Sequence, residues 1–202
     1  AKQIHINGAV VNEFDNAFAT TRLTAGDSEA EFDSSVSPQD NSQRWVSIAA
    51  KPHTAATPTN TDVVVDVTAL GSVRSGRIEV LVTDKGAGVH WAGLGYADLG
   101  DFNISSTGLL QVDGQGRLHS ARDMTWQVGA VKLNGSMLNQ SGAPNLPAPG
   151  LYGDGLPQVS VLDGSFVAQI VADATGASPI AGHTDGSWYG VNSVLSARQH
   201  VL

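Results

Sequence analysis

Glutamate and lysine, the polar residues that helices use most, occur only four times each in 202 residues, whereas aspartate occurs 15 times. Without them an amphipathic helix has little from which to build its solvent face. Val, Thr, Ser, Gly and Asp take their place, and these are the residues of strands and tight turns. A helical bundle, a coiled coil and an α/β enzyme core are excluded on this ground.

The strand signal is explicit beyond Trp45. Val63, Val65 and Val67 alternate with polar neighbours, as do Ile78, Val80 and Val82, the period of a strand with one buried face. Asp113-Gly114 lies between Leu109–Val112 and Arg117–His119, and Asp163-Gly164 between Val159–Leu162 and Phe166–Val171; Asp-Gly between apolar alternations signals a hairpin. A longer strand is read from Met124 to Leu133 and a last one from Trp188 to Leu195. Eight to ten strands so spaced predict an all-β fold, an antiparallel β-sandwich or jelly roll. Trp126 and the six alternating residues above are its expected core.

Residues 1–44 carry seven acids and three bases, half of the net charge of -8, and few large apolar residues. They are read as an acidic N-terminal strand followed by an extended arm, with a turn or two of helix opening at Ser37-Pro38 and stopping near Trp45. Residues 45–202 are read as a single β-sandwich domain. Pro144, Pro147, Pro149 and Pro157 fall in residues 135–157, a projecting Pro/Gly-rich loop long enough to lie on a neighbouring subunit.

A chain of this length buries roughly 70% of its unfolded surface, so it needs no disulfide or metal to hold a core. With no Cys and six scattered His, neither a structural zinc site nor a Cys nucleophile is indicated. The acidic balance opposes a nucleic-acid partner, and no apolar run is long enough for a membrane span. The nucleophile-elbow, zincin and P-loop motifs are missing. The expected molecule is therefore not an enzyme and has no catalytic residue, metal or cofactor. Asp98, Asp101 and Asn103 are oxygen donors at short intervals, the chemistry calcium takes, although turns use the same residues. Trp188 and Tyr189 beside His183 and Asp185 are the candidate ligand-binding residues, an aromatic platform with polar partners of the kind that holds a sugar ring. His90-Trp91 beside Tyr96 is a second such grouping.

Ser106-Thr107-Gly108-Leu109-Leu110-Gln111-Val112-Asp113-Gly114-Gln115-Gly116-Arg117-Leu118, within an acidic, Cys-free, Gly/Ala/Thr/Val-rich chain, resembles the accessory structural proteins of bacteriophage virions: capsid decoration proteins, tail tube subunits and fibre domains. The resemblance implies a non-enzymatic protein of the virion, working through subunit contacts as a symmetric homo-oligomer, a trimer first, together with other virion proteins. The alternative is a carbohydrate-binding or receptor-binding β-sandwich module with glycans as its partners.

Overall fold

The computed structural model describes residues 1–13, 19–37, 46–54, 56–114, 116–134, 158–170, 188–191 and 194–197. Their regular elements are all strands: β1 (Ile4–Ile6), β2 (Ala9–Val11), β3 (Thr20–Ala25), β4 (Ser28–Phe32), β5 (Val46–Ala50), β6 (Val63–Val67), β7 (Ser72–Ser75), β8 (Arg77–Val82), β9 (Gly88–Trp91), β10 (Leu94–Ala97), β11 (Phe102–Ser105), β12 (Leu109–Asp113), β13 (Arg117–Ser120), β14 (Met124–Val128), β15 (Ala130–Asn134), β16 (Gln158–Val161), β17 (Phe166–Ile170), β18 (Trp188–Val191) and β19 (Val194–Ala197).

Each strand from β6 to β16 pairs in parallel with the strands three places before and after it, except where the inserted hairpin offsets the numbering. Sheet A runs β1-β6-β9-β12-β15-β18, sheet B runs β2-β7-β10-β13-β16-β19, and sheet C runs β3-β8-β11-β14-β17. The chain thus passes through sheets A, B and C in turn and climbs one strand per circuit. This is a three-sided parallel β-solenoid. Among the described residues only β4 and β5 pair antiparallel, as a hairpin inserted after the first circuit.

The antiparallel sandwich or jelly roll expected from the sequence is therefore overturned. Asp113 does not turn a hairpin, because β12 pairs with β9 and β15 rather than with β13. Around Asp163, β16 likewise pairs with β13 and β19, and β17 with β14. Asp-Gly supplies a tight turn whether the chain doubles back or rounds a corner, so its turn chemistry carries no information about strand direction. The long strand read from Met124 to Leu133 is two strands on different sheets, divided at Gly129. The helical turn read at Ser37-Pro38 and the loop 135–157 fall almost wholly outside the described residues.

Period-two alternation sends every second side chain into the prism. In sheet A the inward columns are Ile4, Val65, Val89, Leu110, Val131 and Ile6, Val67, Trp91, Val112, Leu133, in register from strand to strand. Sheet C adds Ile78, Phe102, Met124, Phe166 and Val80, Ile104, Trp126, and all seven are buried. Two edge-to-face pairs cross the interior, Trp91 with Phe102 at 5.5 Å and Trp126 with Phe166 at 4.8 Å between ring centroids, a geometry that adds to area burial. Gly95 makes room for the first pair: a Cβ there would meet Trp91 Cζ2 at 2.7 Å and Phe102 Cε2 at 2.8 Å. The inward hydroxyls are bonded to corner carbonyls, Ser75 Oγ donating to Ala19 O at 3.1 Å and Ser120 Oγ to Gly100 O at 3.0 Å.

Val63 departs from the expected core. The β6–β9 register shifts between Val63 and Val65, so Val64 and Val65 are both buried and Val63 is left 46% exposed. At the start of the chain, β1, β2 and β3 form the first circuit, and Ile6, Leu23 and Ala25 share the common core. The acidic stretch 1–44 thus includes a complete circuit, and its β4 strand carries Glu29 and Glu31 on the exposed hairpin.

Candidate functional site

The outward positions of sheet A stack His5 on β1, Asp66 on β6, His90 on β9, Gln111 on β12 and Lys132 on β15, at the ~4.8 Å strand spacing. Four circuits are joined through them. Asp66 accepts from His5 Nδ1 at 2.9 Å and from His90 Nδ1 at 2.7 Å, while His90 Nε2 lies 3.1 Å from Asp113 Oδ2. Gln111 Nε2 donates to the same Asp113 oxygen. An ionised carboxylate only accepts, so each of these contacts is a hydrogen bond when the ring nitrogen facing the oxygen carries the hydrogen. Asp113 Oδ1 is buried without a partner.

Beside this ladder an open groove of about 400 Å³ is lined by Gln3, Ile4, His5, Val63, Asp66 and His90. Its lining contains imidazoles, a carboxylate and an amide but no hydroxyl or thiol nucleophile. Among the described residues no three of His, Cys, Asp and Glu are placed to hold a metal ion. The ladder is partly solvated, the His90 and Asp66 side chains being 27% and 31% exposed, so each ion pair contributes at most about 1 kcal/mol. What the arrangement does is stitch successive circuits together along one face.

Sheet B carries a second outward set. Ser72 and Arg74 on β7, Leu94 and Tyr96 on β10, Arg117 and His119 on β13, and Gln158 and Ser160 on β16 form two columns in register. The Tyr96 and His119 rings are 5.7 Å apart and inclined at 44°, and His119 Nδ1 shares a 2.9 Å hydrogen bond with Ser160 Oγ. Burial pulls the His119 imidazole below its ordinary value, with the charge of Asp98 opposing. Arg74 Nε donates to Asp98 Oδ2 at 2.5 Å; that bond and the carboxylate charge raise the guanidinium further.

Of the residues singled out from the sequence, His183 and Asp185 lie outside the described residues. The backbone register sets Trp188 opposite Val131 and Tyr189 opposite Lys132 at the end of sheet A. Trp91 is fully buried in the core, so the pairing of His90 with Trp91 as an exposed platform is overturned: adjacent strand residues face opposite ways. Asp98 and Asp101 each face a guanidinium, Arg74 and Arg77 respectively, and Asn103 stands in the outward column of sheet C between Glu79 and Thr125. Asp66 and Asp113 were missed as members of a cluster. Alternation marks Asp66 and His90 as outward-facing, but only the register between circuits makes them neighbours. The chain matches no protein-family model, no curated protein and no solved structure.

Proposed function

We propose that this chain is a non-enzymatic structural protein of a virus particle, a solenoid segment that acts by forming contacts with copies of itself and with other particle proteins. The observation that carries the reading is the exposed apolar surface of β2. Among the described residues β2 has a single ladder partner, β7, and it holds Val11 61% exposed with Val10 also exposed. Exposed apolar side chains on a strand with one ladder edge free offer a neighbouring chain a surface to cover. The solenoid's repetitive form suits a fibre-type component, in which symmetric copies pack around an axis.

The test is mass spectrometry of purified particles from the source together with light scattering of the isolated chain. A stoichiometric place in the particle and a closed oligomer, with a trimer expected, support the reading, and Val11→Lys then shifts the oligomer toward monomer. A monomer that no particle contains overturns it.

A further inference from the structure

The outer face of sheet B brings two arginines and an aromatic ring together on a chain whose net charge is -8. Over β7, β10, β13 and β16 the outward side chains make a grid four strands wide and two positions deep, roughly 14 Å by 7 Å from the strand spacing and rise. One column runs Ser72, Leu94, Arg117, Gln158 and the other Arg74, Tyr96, His119, Ser160. Leu94 is 38% exposed beside Tyr96, so the grid has an apolar and aromatic centre.

The polar groups around that centre differ in how far they are satisfied. Arg74 is tied to Asp98, and His119 to Ser160. The Arg117 guanidinium has no carboxylate partner among the described residues, while its backbone N–H donates to Gly93 O at 2.8 Å. Next to it in the column, Gln158 Nε2 is buried with no acceptor. A guanidinium lacking an acceptor matches a ligand that brings acceptor oxygens. The guanidinium fork suits a carboxylate in particular. Tyr96 and Leu94 beside them offer a flat surface for the C–H face of a sugar ring.

We propose that this face binds an acidic saccharide, a glycan whose pyranose units carry carboxylates. The carboxylate of one unit takes the fork of Arg117, the ring lies over Tyr96 and Leu94, and a ring hydroxyl bonds the Ser72 hydroxyl. Charge complementarity selects the ligand class, because Arg74 is neutralised by Asp98 and Arg117 is left as the one uncompensated cation of the grid. A nucleic acid, the other common polyanion, needs more phosphate contacts than two arginines supply.

The experiment is calorimetric titration of the full chain with oligomers of galacturonate, of mannuronate and of hyaluronan, with oligogalactose as the neutral counterpart of the first. At least one acidic oligomer is expected to bind saturably and oligogalactose not, with affinity falling as salt rises. Arg117→Gln and Tyr96→Ala should each weaken binding about tenfold or more, while Thr125→Ala, on the outer face of sheet C, leaves it unchanged. Should Tyr96→Ala fail to fold by circular dichroism, Arg117→Gln, which alters only a surface side chain, decides the matter alone. Failure of all three acidic oligomers to bind, equal binding of oligogalactose, or wild-type affinity in Arg117→Gln overturns the proposal.

Discussion

Val63 and Val65 are equivalent in the sequence, both apolar members of one alternating run, and the β6 irregularity separates them into an exposed and a fully buried residue. An aspartate at Val65 would bury an unpaired carboxylate between Ile4 and Val89, at a cost of several kcal/mol. The same change at Val63 should stay within about 1 kcal/mol, and urea denaturation of the two variants measures the difference. His119 makes a pH prediction whose sign follows from burial. Its folded value is depressed below the ordinary 6.5, so the folded state prefers the neutral ring. The contribution is complete above the unfolded value and is lost as pH falls through the folded one. His119→Gln, which keeps a polar partner for Ser160, should therefore flatten the acid side of the urea-midpoint profile below pH 6.5. An unaltered profile would show that the ring titrates alike in both states.

At the scale of elements, the corners decide the fold and were the hardest part to read. Short strands such as Arg77–Val82 and Phe166–Ile170 were legible because alternation is local and each buries one face. Corner residues were legible as turns but not as corners, since Gly and Asp serve a hairpin equally well. Gly93 shows what a corner demands: a Cβ there would lie 2.1 Å from Gly71 O and 2.4 Å from Thr68 O, the corner of the circuit before. Gly93→Ala should cost about 1–3 kcal/mol or more through overpacking. At Gly8 an added Cβ has nothing within 4 Å, and Gly8→Ala should be nearly neutral. Thermal melts compare the two directly, a loss of 1 kcal/mol corresponding to ~2–4 °C in a chain of this size. The His5–Asp66–His90–Asp113 ladder was illegible for a related reason. Each member sits on a different circuit, and no local pattern states which residues of successive circuits become neighbours.

For the molecule as a whole, what escaped the sequence was its repeat. Residues 88–108 and 109–129 are consecutive circuits of equal length, yet their identities differ at nearly every inward position: Trp91 above Val112, Phe102 above Met124, Ile104 above Trp126. The repetition lies in burial rather than in residue type, and the inserted hairpin β4–β5 and the long segment 135–157 break its period. With no repeat in view, short strands and turn signals are read as a sandwich, because they satisfy the same local rules. The difference between the two folds is strand direction, and the absence of cysteine makes it testable with paired cysteines and a short bis-maleimide. The parallel stack places Gln111 beside Lys132 on sheet A and Asn103 beside Thr125 on sheet C, whereas a hairpin at Asp113-Gly114 would bring Gln111 close to His119, which the solenoid puts on another face. Rapid cross-linking of the 111/132 and 103/125 pairs with none at 111/119 is the predicted result; efficient cross-linking at 111/119 with none at the other two would contradict the solenoid.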